Sequence, residues 1–451
     1  MVRRSLVTLA CLLAATGIAA AAEVLRLDPV LLGPASSGDG VARVIVQTRP
    51  GADAEALVRA CGGHPGLHFQ TLSAQVADVP HRCLASLARH PDVRAVSADR
   101  AVHGALQTSV RTSVGAAWVG DRLGFDGTGI GVAIIDSGVA AWHDDLSNGR
   151  VVHFADFVKR ETQPYDDYGH GTHVAGIIAG NGQNSGGVRR GIAPGAHLIV
   201  LKALGAEGEG QASHVVAAIE YAIRHRATFN IRIINLSVAA GVHESYNTDP
   251  LTQAARRAVE AGIVVITAAG NLGRDGTGAP QYGGITAPGN APWVLTVGAS
   301  NDNGTAERRD DTVASFSSRG PGIIDGAIKP DLVAPGVAIE SLADPASLLY
   351  VTRPRARRWG TIKSASEPYL ALSGTSMAAP IVAGTVALML HANPSLSPAH
   401  VKAILQRTAE SSGRYDHFTQ GAGFLNARAA VELASAIAED ASADASQGGA
   451  Q

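Results

Sequence analysis

At 451 residues, with 46% hydrophobic and 17% charged, the chain is long enough for two or three domains around a sizeable core. The 37 basic residues nearly balance the 39 acidic ones, and a net charge of −2 excludes the basic field of a nucleic-acid binder. The three cysteines are Cys11, Cys61 and Cys83, so a disulfide scaffold, a cysteine zinc site and a cysteine nucleophile are excluded from everything that follows.

The chain opens on a basic head, Arg3-Arg4, and an apolar run from Leu6 to Ala22 that ends Ala20-Ala21-Ala22. The run is short and alanine-rich for a bilayer span, which needs about 20 apolar residues. Its small-residue ending suits signal cleavage, so residues 1–22 read as a removable secretory signal. The expected location is secreted or periplasmic, with no membrane contact once the signal is gone. Residues 23–40, with Gly33-Pro34 and Ser36-Ser37-Gly38-Asp39-Gly40, read as a linker.

A small unit follows over 41–106. The patterns predict a strand over Val41–Gln47, a helix over Asp53–Ala60, and one or two strands within Leu67–Val79. A helix over Arg82–Arg89 and a strand over Val93–Ser97 complete it. That order, β-α-β-β-α-β, is a ferredoxin-like α+β unit. Cys61 and Cys83 fall at the end of one helix and inside the other. Both helices lie on one sheet face in this topology, so a disulfide and a pair of buried thiols both fit.

From about residue 110 the rhythm becomes strand, Gly-rich turn, helix. Short β-branched runs at Gly131–Ile135, His197–Lys202, Ile231–Asn235, Ile263–Ala268 and Val294–Val297 alternate with helical stretches such as Gln211–Arg226 and Asp249–Ala261. This is the pattern of an α/β fold with a doubly wound, mostly parallel sheet, here over 107–437. Residues 341–370, with Arg353, Arg355, Arg357, Arg358 and Lys363, read as a solvated loop, an autolysis site and a substrate-steering patch being the sharper options. Residues 438–451 hold little to bury and are expected to be disordered.

Three segments place a reactive side chain at a strand end or a helix start. Asp136 closes the apolar run Val132-Ala133-Ile134-Ile135, where doubly wound sheets bind ligands. His170 stands between two glycines in Asp166-Asp167-Tyr168-Gly169-His170-Gly171-Thr172-His173. A zinc helix would need His-Glu-x-x-His, so no metal is expected there, and His173 reads as a packing residue. Ser376, in Ser373-Gly374-Thr375-Ser376-Met377-Ala378-Ala379-Pro380, opens a nearly wholly apolar helix over Met377–Leu390, whose N-terminal N–H groups favour nearby negative charge. A lipase-type Gly-x-Ser-x-Gly is absent.

Asp136, His170 and Ser376, in that order on a parallel sheet, follow the chain order of subtilisin. Asp136-Ser137-Gly138-Val139, His170-Gly171-Thr172-His173-Val174-Ala175-Gly176 and Gly374-Thr375-Ser376-Met377-Ala378-Ala379-Pro380 resemble the active-site signatures of the subtilase family over roughly 110–435. Asp302-Asn303-Gly304-Thr305 and Lys329-Pro330-Asp331-Leu332-Val333-Ala334-Pro335-Gly336 resemble its AprX-like bacterial branch.

The resemblance implies a subtilisin-like serine endopeptidase acting on protein or peptide substrates, with Ser376 as nucleophile, His170 as base and Asp136 orienting it. It implies an oxyanion donor at Asn271. Two substrate-binding walls are implied at Gly208-Glu209-Gly210 and Ser237-Val238-Ala239, with Ala239 standing where a glycine is usual. It casts 41–106 as an inhibitory propeptide, the enzyme's own partner, released by self-cleavage after Leu106 or Ala105. No cofactor is required. Asp145 matches a calcium ligand of some relatives, with Asn181 and Asn184 as further oxygen donors, and Arg189 and Arg190 weigh against a strong cation site. A catalytically inert scaffold is the alternative from a different class, and the presence of all three reactive residue types counts against it.

Overall fold

Alternating burial along Val41–Thr48 (β1) sends Val44 and Val46 inward and leaves their neighbours toward solvent. Asp53 then caps the helix Ala54–Ala60 by accepting from Ala56 N at 2.9 Å. His64–Phe69 (β2), Ala74–Pro80 (β3), the helix His81–Arg89 and Val93–Ala98 (β4) follow. The four strands pair antiparallel in the order β2-β3-β1-β4, the ferredoxin-like arrangement. Val58, Leu84 and Leu87 from the helices close on Val44, Val46, Val79 and Val96. Cys61 and Cys83 form a disulfide across the two helices, with Cα atoms 5.8 Å apart, which decides between bonded and free thiols.

The computed structural model describes residues 26–28, 31–99, 109–362 and 364–448 and divides after Leu106 into two units. The signal expected at 1–22 and the cleavage point at Leu106 lie outside the described residues. The linker reading of 23–40 needs correction. Leu27 and Leu31 are buried in the core of the N-terminal unit, and Leu32–Ser37 forms a helix. Leu27 bridges to Val96 beside the sheet and Leu31 holds the N-cap position of the helix, and their burial outweighs the Gly and Ser that suggested a linker.

The second unit is built on Gly131–Asp136 (β5), Val151–Asp156 (β6), His197–Lys202 (β7), Ile231–Leu236 (β8), Val264–Ala268 (β9) and Leu295–Asn301 (β10). Thr312–Val313 (β11) and Leu332–Pro335 (β12) complete an eight-stranded sheet of order β11-β10-β9-β8-β5-β7-β6, with β12 beside β10. Pairing is parallel except at β11. Both faces are buried. Along β5, Val132 and Ile134 join one core, and Ala133 and Ile135 the other. The helices His170–Ala179, Thr375–Ala392 and Ala427–Gly448 supply the first core, and Ala212–Arg224 and Pro250–Glu260 the second.

Thr375–Ala392 is long and apolar enough to cross a membrane, yet 83% of it is buried within the fold; it is a core helix. β6 went unread in the sequence because it is a half-buried edge strand of mixed polarity. The stretch 341–370 is likewise more ordered than a solvated loop. Ile339–Leu342 (β13), Arg357–Arg358 (β14) and Tyr369–Leu372 (β15) form a small sheet, with a helix Leu348–Thr352 between the first two. Arg358 pairs there with Glu340 at 3.1 Å. The last helix continues to Gly448, over most of the tail expected to be disordered, and alanine is the strongest helix former.

Candidate active site

Asp136 is the last residue of β5 and is fully buried. Beyond it the chain turns at Gly138, at φ 123°, where a Cβ would stand 2.0 Å from the Tyr165 carbonyl oxygen. Only glycine permits that approach. It lays the segment before His170 against the strand end, and His170, the first residue of its helix, reaches Asp136. Nδ1 lies 2.8 Å from Oδ1 and 3.0 Å from Oδ2. An ionised carboxylate only accepts, so Nδ1 carries the proton and Nε2 is left as the basic nitrogen. Burial pulls the imidazole pKa down, but the charge and hydrogen bond of Asp136 outweigh it, and the net shift is upward.

Ser376 is the second residue of the helix Thr375–Ala392. Pro380, four residues on, has no N–H to give the Ser376 carbonyl. Ser237 Oγ takes that place, donating to Ser376 O at 3.0 Å. The proline thus opens a helix bond that a cleft residue fills. Asn271 lies three residues past the end of β9. Its Oδ1 accepts from Thr375 N at 3.0 Å and Thr375 Oγ1 at 3.1 Å. A backbone N–H can only donate, which fixes the amide orientation and turns Nδ2 outward as a donor. Among the described residues no hydrogen bond joins Ser376 Oγ to His170; such bonds tighten when substrate binds.

The two wall segments flank these residues. Gly208 lies on the Tyr168 ring, two residues before His170, so closely that a Cβ would be 2.4 Å from Cζ. Glu209 and Gly210 are exposed beside it. Ser237 is held by Asn235 Nδ2 at 2.8 Å as well as by Ser376, Val238 is half-buried and Ala239 is exposed. Ala240 pairs with Ala287 as a two-bond antiparallel bridge.

The subtilase family model, Peptidase_S8, matches residues 127–424, well over half of the chain. The chain belongs to the subtilase family. Serine protease AprX of Bacillus subtilis (strain 168) is 39% identical over 369 residues, spanning 80% of each chain. Subtilisin E of the same organism is 35% identical over 374 residues, 82% of this chain and 84% of the relative. A cold-adapted subtilisin-like serine proteinase of known crystal structure matches with a TM-score of 0.50 and 28% identity, covering 67% of this chain and 90% of that one. This subtilase is accordingly a subtilisin-like serine endopeptidase with the α/β fold expected of it.

Sequence reasoning missed several residues that arrange this subtilase's site. Thr375 orients Asn271, and Pro380 frees the Ser376 carbonyl for Ser237; both stand within the serine motif, but Asn271 and Ser237 are remote in sequence. Asp166, four residues before His170, is 2% exposed and surrounded by donors. Asp167 accepts from buried Lys202 at 2.7 Å, and Lys202 also donates to Ser137 O. His173 is a packing residue. Its Nε2 faces Ile339 O at 3.1 Å and Leu370 O at 3.0 Å, and burial, with the neighbouring His170 charge, pushes its pKa down to about 3.

The corner of Asp145, Asn181 and Asn184, where calcium was an option, is bonded internally. Asp145 is fully buried, and its carboxylate accepts from Asn184 N at 2.7 Å and Tyr369 OH at 2.7 Å. The Asn184 carbonyl accepts from Thr361 N and Ile362 N, and Asn181 Oδ1 accepts from Gln183 N. Arg189 lies over the Tyr369 ring, 4.7 Å from its centroid, and pairs with Glu340 at 2.6 Å. Protein donors thus reach the Asp145 carboxylate, Asn181 Oδ1 and the Asn184 backbone carbonyl, and the Arg189 guanidinium lies on the Tyr369 ring that donates to Asp145.

Proposed function

We propose that this subtilase hydrolyses peptide bonds through an acyl-enzyme on Ser376, and that it is exported as a precursor with residues 41–106 as its inhibitory propeptide. The observation that carries the catalytic part is the His170 Nδ1 contact with Asp136 at 2.8 Å, which reserves Nε2 for the serine proton. His170 removes that proton as Oγ attacks the carbonyl and returns it to the leaving amine, while Asp136 holds the tautomer and stabilises the imidazolium. The negative oxygen of the tetrahedral intermediate then falls to Asn271 Nδ2 and the Ser376 N–H. Thr375 N is spent on Asn271 and Met377 N on the Gly374 carbonyl, and among the described residues Ser376 N–H has no acceptor at the helix start.

Gly208–Gly210 and Ser237–Ala239 bind the substrate backbone as an added strand, and the Ala239 methyl narrows the adjoining side-chain pocket. The Asp145 corner, its carboxylate already bonded to Asn184 N and Tyr369 OH, works without calcium in this reading.

Export rests on the basic head and apolar run of residues 1–22. Self-cleavage is placed near Leu106, with Ala105 as the alternative. A fluorophosphonate probe identified by mass spectrometry tests the nucleophile: labelling of Ser376 is expected, and an unlabelled, fully active enzyme would overturn the assignment. N-terminal sequencing of the active form tests the precursor. A start between about residues 103 and 112 is expected, and full activity with a start at Glu23 would remove the propeptide reading.

A further inference from the structure

Asp166 has no part in the reaction just described, yet it is 2% exposed within four residues of His170. Its Oδ1 accepts from Ser137 Oγ at 2.8 Å and Gly169 N at 2.7 Å. Its Oδ2 accepts from Thr172 N at 2.7 Å and Thr172 Oγ1 at 2.6 Å. Each hydroxyl is itself an acceptor. Ser137 Oγ receives Gly171 N at 2.9 Å, and Thr172 Oγ1 receives Ala140 N at 2.9 Å. Both hydroxyl protons are therefore directed at Asp166, which faces donors only. Burial pushes its carboxyl pKa up, and the donors oppose that shift without reversing it, so the net direction is upward. Against that shift, the geometry leaves no acceptor for a carboxyl proton, since all four contacts are donors, and so favours the ionised form.

The peptide groups on both sides of His170 are pinned by this arrangement, Gly169 N to Asp166 and Gly171 N to Ser137 Oγ. Ser137 N also donates to Asp136 Oδ1 at 2.7 Å. One buried carboxylate thus ties the strand end carrying Asp136 to the helix start carrying His170. We propose that Asp166 is a positioning residue for the reaction, acting through His170 by fixing its backbone against Asp136, with Ser137 as the link. This rests on the triad reading above.

The test is Asp166→Asn in the full chain. It keeps the shape but turns an NH2 group toward donors. We expect kcat to fall by about 10- to 100-fold with KM within about twofold, the signature of a lost transition-state geometry. The charged or titratable groups around His170 are Asp136 on β5, Asp166, Tyr168 with its ring 6.3 Å away, His173 one turn along the helix, and Arg353 at the end of the helix Leu348–Thr352. Loss of one of the two carboxylates should therefore move the acidic limb of kcat/KM to lower pH. Histidine NMR in a Ser376→Ala background reads the same His170 titration without needing activity.

If Asp166→Asn does not fold, Ser137→Ala against Ser137→Thr decides the matter: the alanine should lose kcat, and the threonine, keeping the hydroxyl, should recover most of it. Unchanged kcat and pH profile in Asp166→Asn would overturn the proposal. So would a loss of thermal stability with an unshifted His170 titration, or equal activity in the two Ser137 variants. Full activity in Ser376→Ala would instead sink the triad reading itself, whatever Asp166 does.

Discussion

The two units of this subtilase bury their chains differently. The N-terminal unit packs its helices on one face of a four-stranded antiparallel sheet and is stapled by Cys61–Cys83. The peptidase unit buries both faces of an eight-stranded sheet and contains no cysteine. A small one-sided core leaves a thinner margin over conformational entropy than a large two-sided one. Stability in the first unit is thus exposed to redox chemistry, and activity in the second is not.

The largest effect should fall on the peptidase unit alone. Ser376→Ala is expected to lower peptide hydrolysis by about 10⁶-fold, on the scale subtilisin sets, and to leave an unprocessed precursor. Melting of its N-terminal unit should not change, which differential scanning calorimetry of the precursor can check. Asp136→Asn should cost about 10⁴-fold in kcat by stabilising the wrong imidazole tautomer. In the parent enzyme, His170 is held above the ordinary histidine pKa by Asp136 despite burial. Its neutral, basic form is lost as pH falls through that raised value, so the acidic limb of kcat/KM should lie above about 6.5. A limb at or below that value would contradict the assignment.

Reduction should divide the units. The Cys61–Cys83 bridge closes a segment of 22 residues, a constraint worth about 3 kcal/mol. Dithiothreitol, or Cys61→Ser with Cys83→Ser, should lower the melting temperature of the N-terminal unit, while the mature enzyme keeps its activity in reductant and iodoacetamide. Loss of mature activity to thiol reagents would break the contrast.

The smallest effect concerns the Asp145 corner. Tyr369→Phe removes a donor from a buried carboxylate and should cost about 1–3 kcal/mol. A chelator should leave the melting temperature of the parent enzyme unchanged. Chelator sensitivity, or calcium restoring Tyr369→Phe, would mean that a cation shares the site.

What could be read from the chain was what neighbouring residues determine. Val132 to Ile135 is apolar on both faces, so β5 had to be a central strand, and an Asp after it had to lie at the sheet's carboxyl edge. Glycines around His170 and a wholly apolar helix after Ser376 marked the other two reactive positions by equally local signals. The half-buried β6 and the alanine-rich tail misled because each depends on an element already in place beside it.

The side chains that orient the site obey a different rule. Asn271 meets Thr375 across 104 positions, Ser237 meets Ser376 across 139, and Asp166 meets Ser137 across 29. A donor and an acceptor so far apart leave no periodic trace, because hydrogen bonds are directional and short-ranged while sequence patterns record only burial. The chain by itself determined which elements form and which of their ends carry reactive groups. Tertiary structure decided which polar atoms those groups would find, since only the packed sheet and helices bring a buried carboxylate within 3 Å of the donors it requires.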